Sequence, residues 1–436
     1  MFRREAPRLV AALTRIFGVH NLALAEDVVQ EAFARALEQW ADGVPENPAA
    51  WLMTAAKRRA IDVVRRERTA RRFAPELAQL LDSEWALVPL VDAAFAPAAV
   101  RDEQLRMMFS CCHPDLSPAT RLALVLNLLC GLGAAEISSA LLTGRAAIEK
   151  RITRGKTTLA EASHLFELTD ADFAARLGDV QRALYLLFNE GYHGASARGA
   201  VREELCAEAM RLVALLREHP PADTPGTHAL AALMCLHAAR LPARIDDAGE
   251  LARWIDQDRA RWDDALVREG IALFAQASSG TELTPYHLEA ALAVAHAAAR
   301  TPAETDWNAI VAIYDQLVAL APSPMAALGR AVAIGERDGA DAGLAALRAI
   351  PERARLVTHP AYPAAQAELE CARGDHAAAR KHFESARGLA RNDAERRYLV
   401  RRLLDACPEE AGSNVVEADG RILRLHIDED PEESER

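Results

Sequence analysis

The chain has 436 residues, with 51 Lys and Arg against 63 Asp and Glu, and its formal charge of −12 excludes a protein coated uniformly by nucleic acid. It is 51% hydrophobic but only 5% aromatic and rich in alanine, which favours helices over sheets; at this length about three domains are expected, each with enough chain to bury a core. No apolar run approaches the roughly 20 residues of a membrane span and the seven cysteines form no C-x-x-C pair, so the composition predicts an all-α, cytoplasmic, reduced protein with no membrane association.

The first predicted element is an acidic amphipathic helix over 25–40, AEDVVQEAFARALEQW. A basic helix over 47–68 follows, with Asn47 as N-cap and Pro48 as first helical residue, because the cap side chain accepts an orphan amide and proline has none to lose. Leu52, Ala56, Ala60 and Val63 share one face of it. Lys57, Arg58, Arg59, Arg65, Arg66, Arg68, Arg71 and Arg72 crowd the remainder against only Asp62 and Glu67, so this helix can pack on one side and bind phosphate on the other. Trp51 reads either as core or as a DNA contact, and Asp62 either as a solvated charge or as a base contact.

Residues 73–100, with Pro75, Pro89 and Pro97, read as a connector, and a second helical unit starts near Arg101. Ser117 caps a helix whose Leu122, Val125, Leu126 and Leu129 face inward and which Gly131 and Gly133 end. A short helix over 134–142, a turn at Thr143-Gly144 and a basic helix over 145–159 make a helix-turn-helix pattern. Ile148, Ile152 and Leu159 are its expected core positions, which leaves Arg145, Glu149, Lys150, Arg151, Arg154 and Lys156 outward; Glu149 again reads as a solvated charge or a base contact. Gly155-Lys156-Thr157 resembles the end of a P-loop, but Lys150 occupies the partner glycine position and no strand precedes it, so helix surface is the expectation. Cys111, Cys112 and His113 lack a second ligand pair, and no metal site is assigned.

An amphipathic helix over 179–189 then runs into Asn189-Glu190-Gly191-Tyr192-His193, where glycine is expected to stop it and open an interdomain loop. Glu190, Tyr192 and His193 could serve as acid, phenol and base, but no nucleophile, metal set or cofactor loop accompanies them, and docking of another domain is the preferred role. After a helix over 203–218, segments 310–321, 325–347, 361–389 and 393–404 read as helices paired across Pro322-Pro324 and Gly374-Asp375, either stacked repeats or a generic bundle. Stacked repeats present a concave surface suited to a peptide or partner helix. The tail, 408–436, carries ten acidic residues against Arg421, Arg424 and Arg436 and is expected to be disordered at its end.

In order and spacing, AEDVVQEAF, a short loop, Trp51-Leu52, then K-R-R-A-I-D over 57–62 and Arg65-Arg66 resemble region 2 of bacterial sigma factors of the extracytoplasmic-function type. The resemblance implies that Asp27, Gln30 and Glu31 dock on the clamp coiled coil of core RNA polymerase. It further implies that Trp51, Lys57, Arg58, Arg59, Asp62, Arg65 and Arg66 open and read the minus-ten promoter element. Arg58 stands where many members carry Asn, so their base preference does not transfer. One linker later, the helix-turn-helix with G-L-x-x-x-E-I at Gly131, Leu132, Glu136 and Ile137 resembles sigma region 4. Its 145–156 face would then read minus-35 DNA. Y-L-L-F-N-E-G-Y-H, LCAEAMRLVALL and LARWIDQDRARWDDAL resemble the subgroup with a C-terminal tetratricopeptide-like domain, which implies a built-in regulatory domain in place of a separate anti-sigma partner.

The sequence therefore predicts region 2 over 1–72, a linker over 73–100, region 4 over 101–165, a helical regulatory domain over 166–407 open to a protein or peptide regulator, and an acidic tail over 408–436. The expected function is a sigma factor, without enzymatic activity or cofactor, whose partners are core polymerase and promoter DNA. The alternative is a stand-alone helix-turn-helix activator with a helical-repeat sensor, which would bind its operator without polymerase.

Overall fold

A computed structural model describes residues 2–18, 21–41, 43–67, 89, 91–140, 143–161, 168–193, 201–246, 250–299 and 301–406. Arg68, Arg71, Arg72, most of the predicted connector, Cys407 and the acidic tail lie outside them. Among the described residues the regular structure is helical, as the composition predicts, and the only β pairing is an isolated bridge between Ile245 and Leu251. No helix among them is long and apolar enough to cross a membrane. The chain divides into two compact units, one formed by Met1–Ser196, Ala200–Leu241 and Trp262–Ala290, the other by Ala197–Gly199, Pro242–Arg261 and Ala291–Arg436 in so far as these are described.

The first unit begins with α1 (Phe2–Phe17), α2 (Leu22–Gln39) and α3 (Pro48–Glu67), which pack on one another. α1 buries Leu9, Leu13, Ile16 and Phe17, and α2 buries Ala25, Val28, Val29, Ala32 and Ala36. The small side chains let the helices approach closely, so burial of apolar surface, not propensity alone, fixes their ends. α3 starts where the cap requires: Asn47 Oδ1 accepts from Ala50 N at 3.0 Å. Its predicted inward face, Leu52, Ala56, Ala60 and Val63, is buried throughout.

α4 (Pro97–Ser110) packs on α1, and α5 (Pro118–Leu124) opens on the Ser117 cap, which accepts from Thr120 N at 3.3 Å. α5 passes into a π-helical turn over Val125–Leu129. This turn buries Val125, Leu126, Leu128 and Leu129 together, whereas Leu122 is only half-buried, because the extra residue per turn shifts the face. Gly131, at φ 61°, then reverses the chain into α6 (Ala134–Ala140) and α7 (Arg145–Glu161). Ile148 and Leu159 are buried as expected, while Ile152 is half-buried. Gly155, expected on the surface, is buried instead: a Cβ there would lie 2.6 Å from Leu124 Cδ1, so the glycine is what lets α7 pack against α5.

α8 (Asp170–His193), α9 (Glu203–Arg217), α10 (Pro225–Ala238), α11 (Asp264–Ala277) and the first part of α12 (Pro285–Ala298) complete this unit. Here the expectation of an interdomain loop is corrected. Asn189, Glu190, Gly191, Tyr192 and His193 form the last turns of α8, with Glu190, Gly191 and Tyr192 buried. Gly191 does not stop the helix because it serves packing: a Cβ would lie 2.7 Å from Cys206 Sγ and 2.9 Å from the Arg202 carbonyl oxygen. The Tyr192 ring stacks 6.0 Å from Phe188 and lies 5.1 Å from His237, so Tyr192 belongs to the core, while His193 is exposed.

The second unit is a succession of helices, each packed on the next: α13 (Trp307–Leu320), α14 (Pro324–Asp338), α15 (Ala340–Arg348), α16 (Ala361–Arg373), α17 (His376–Gly388) and α18 (Asp393–Ala406). The predicted single helix after Pro324 is two, broken at Gly339 with φ 96°. The break at Gly374-Asp375 is as expected, with Gly374 left-handed and Asp375 capping α17 through Ala378 N at 2.9 Å. Leu328, Leu344, Leu347, Leu356, Tyr362 and Leu369 form one core cluster, and Ala367, Phe383, Ala386 and Leu399 another. Arg397 and Arg401 of α18 tie the 242–261 stretch down through Glu250 at 2.6 Å and Asp246 at 2.9 Å.

Candidate polymerase and nucleic-acid interface

On α2, Asp27 and Gln30 point outward and are exposed. Glu31 is already engaged: Arg35 Nη2 approaches its Oε1 at 3.0 Å and Arg59 Nε of α3 its Oε2 at 2.6 Å. The residues predicted to meet polymerase and those predicted to meet minus-ten DNA thus share an ion pair across the α2–α3 contact. Glu26, one residue before Asp27, takes Lys156 of α7 at 2.6 Å.

On α3, Arg58 and Asp62 are exposed one turn apart. Lys57 is half-buried, bonded to Asp92 at 3.0 Å and lying 5.6 Å from the centroid of the Phe95 ring. Trp51 sits edge-on to Trp40 at 5.3 Å, and Trp40 stacks on Phe2 at 5.6 Å, so its ring belongs to an aromatic cluster with one side still open. Arg65 and Arg66 lie in the last turn of α3, and their side chains are outside the described residues.

α6 and α7 lie where the sequence places a helix-turn-helix, with residues 143–144 leading into α7. Ser138 Oγ donates to the Thr143 carbonyl at 2.5 Å, and Ile148 N reaches the Gly144 carbonyl at 3.2 Å, which closes the turn. Arg145, Glu149, Lys150 and Arg154 are exposed on α7, with Arg145 and Glu149 paired at 2.8 Å; Arg151 is half-buried. Lys156 does not join this exposed set, because Glu26 holds it inward. An exposed basic face is the electrostatic requirement for phosphate contact and groove readout.

Sequence reading missed the charged groups that hold these helices to those after residue 166. Arg121 of α5 pairs with Asp179 of α8, Arg176 Nη1 donates to the Phe109 carbonyl at 3.2 Å, and Arg202 Nη2 meets Glu136 Oε1 at 3.0 Å. The Phe109 and Phe173 rings meet edge-on at 4.6 Å between them. The one local signal was Arg176, a charge on the largely apolar buried stripe of α8. Cys111 and Cys112 are buried; burial pushes the Cys112 thiol up to about 12, and burial with Cys112 and Cys130 nearby raises Cys111 well above the usual range, so both are neutral packing groups. Among the described residues no group of three or more His, Cys, Asp or Glu could hold a metal ion.

Residues 1–70 match the sigma-70 region 2 family, and residues 176–278 match a family of unknown function, DUF6596. An uncharacterized protein of Rhizobium meliloti (strain 1021), R00370, is 38% identical over 397 residues, which cover 90% of this chain and 92% of that one. The chain belongs to that protein's family. No solved structure matches. The region 2 match falls on α1, α2 and α3, and supports a sigma-factor-like part in transcription initiation with core RNA polymerase and promoter DNA as partners, consistent with a non-enzymatic protein. The second match spans most of α8, then α9, α10 and α11, and includes Arg176 and Asp179 of α8 and Arg202 at the N-cap of α9.

Proposed function

We propose that the chain is a sigma factor of the extracytoplasmic-function type that carries its own regulatory helical domain. Asp27 and Gln30 of α2 dock on core polymerase; Arg58, Asp62 and the arginines at the end of α3 open and read the minus-ten element; Lys150 and Arg154 of α7, with Arg145, Glu149 and Arg151, read minus-35. Phosphate contacts from the arginines set the register, and the few side chains that reach base edges give specificity. The helices from α8 onward regulate, with the α13–α18 succession read as tetratricopeptide-like and open to a protein or peptide regulator. The 1–70 match, whose α2 and α3 keep Asp27, Gln30, Arg58 and Asp62 exposed, carries this reading.

The test is run-off transcription of fragmented DNA from the source genome with purified core polymerase, with transcript 5′ ends sequenced. A shared upstream element at minus-ten and minus-35 is the expected result. A protein that binds such DNA stably without polymerase, and adds no start sites with it, is the stand-alone activator instead.

A further inference from the structure

We propose that Arg202 is a positioning residue for promoter recognition: through Glu136 it fixes the first helix of the helix-turn-helix, and so the aim of α7, from the start of α9. The inference rests on α6 and α7 reading DNA, and it assigns a purpose to the N-E-G-Y-H stretch.

Glu136 lies in the first turn of α6 and uses both carboxylate oxygens. Oε2 accepts from Gly133 N at 3.0 Å, closing the start of the helix on itself, and Oε1 accepts from Arg202 Nη2 at 3.0 Å. α6 has only seven residues and is too short to hold its direction by its own backbone bonds. Its orientation depends on what it touches.

Arg202 is itself immobilised. It is 6% exposed, its N donates to the Gly191 carbonyl at 2.7 Å, its Nε bonds Glu204 at 3.2 Å, and its own carbonyl accepts from Leu205 N at 3.0 Å. These bonds need the end of α8 to lie against the beginning of α9, which only glycine at 191 permits, since an added Cβ would meet Cys206 N at 2.8 Å. The chain of positions therefore runs from Gly191 through Arg202 to Glu136. A planar guanidinium is suited to this, because its fork delivers charge-assisted bonds in fixed directions where lysine would supply a rotating point charge. Burial makes the pair sensitive, since loss of the Glu136 carboxylate leaves the buried guanidinium with Glu204 as its remaining carboxylate partner. The helices of the DUF6596 match thereby set the geometry in which minus-35 DNA is read.

The experiment uses the full chain with Arg202→Ala, Glu136→Gln and the double variant, together with Arg202→Lys. Amide exchange over α6 and α7 should quicken by about ten-fold or more in Arg202→Ala, while α8 keeps its protection. In transcription with core polymerase, the ratio of output from a mapped promoter to the same promoter scrambled at minus-35 should fall by about ten-fold, with polymerase binding unchanged. Glu136→Gln should reproduce both effects, the double variant should be no worse than either single one, and Arg202→Lys should recover part of the ratio. Unchanged exchange in α6 overturns the positioning role, and an unchanged minus-35 ratio in a variant with faster exchange overturns its consequence for recognition. If the wild type supports no polymerase-dependent transcription, the promoter reading has failed, and exchange still decides whether Arg202 positions α6.

Discussion

Lys156 of α7 donates to both carboxylate oxygens of Glu26 on α2, at 2.6 and 2.9 Å, across 130 residues of chain. The contact joins the helix proposed to read minus-35 to the helix proposed to dock on polymerase. Elements about 25 base pairs apart are separated by about 85 Å of B-form DNA at about 3.4 Å per pair, far more than an ion pair can bridge. Simultaneous occupancy of both elements therefore requires this pair to part.

Glu26→Gln should favour the parted state. A half-buried pair of this kind contributes on the order of 0.5–1 kcal/mol, so initial transcription at limiting polymerase should rise by about two- to five-fold. The rise should shrink as salt is added, because the wild-type pair is then already screened. A fall in transcription would instead make Glu26 a polymerase contact.

Asp27→Lys and Glu31→Lys should separate docking from stability. Asp27 is exposed, so its reversal should weaken polymerase pull-down without moving Tm. Glu31 holds Arg35 and Arg59, so its reversal should also cost about 1 kcal/mol of stability and lower Tm by a few degrees. Unchanged pull-down by Asp27→Lys removes α2 from the docking surface.

Lys150→Ala and Arg154→Ala should reduce minus-35-dependent transcription. Where the side chain reaches a base edge, its removal should cost on the order of 1–3 kcal/mol; where it reaches a phosphate, its removal should lower the salt slope by about one. Equal sensitivity to minus-35 mutations in wild type and both variants would remove α7 from recognition.

Gly155→Ala should destabilise the first unit by about 1–3 kcal/mol through overpacking, since the new methyl would meet Leu124 and Thr120 where α5 and α7 pack. Chemical denaturation measures it directly. An unchanged midpoint would show that α5 and α7 separate at no cost.

Removal of 166–436 should abolish transcription, and the remaining fragment should be poorly soluble. α8 packs on α4 and α5, with its Phe173 ring against Phe109, and takes Asp179 away from Arg121 and Arg176 away from the Phe109 carbonyl when it leaves. Removal of 409–436 alone should change output little. Higher transcription from a soluble 1–165 fragment than from the full chain, at equal concentration, would make the C-terminal helices an inhibitory lid.

What the sequence alone determined was local. The Asn47 and Ser117 caps, the Gly374 stop and the inward face of α3 follow from backbone hydrogen-bonding and a 3.6-residue period, which neighbours in the chain carry in full. What only the tertiary structure decided was partnership. Gly191 reads as a helix stop until α9 is seen packed against it, Gly155 and Lys156 read as surface until Leu124 and Glu26 are seen opposite them, and Arg202 carries no local signal at all. Close approach and charge pairing depend on which helices meet, and residues 66 to 130 positions apart meet only once the chain has folded.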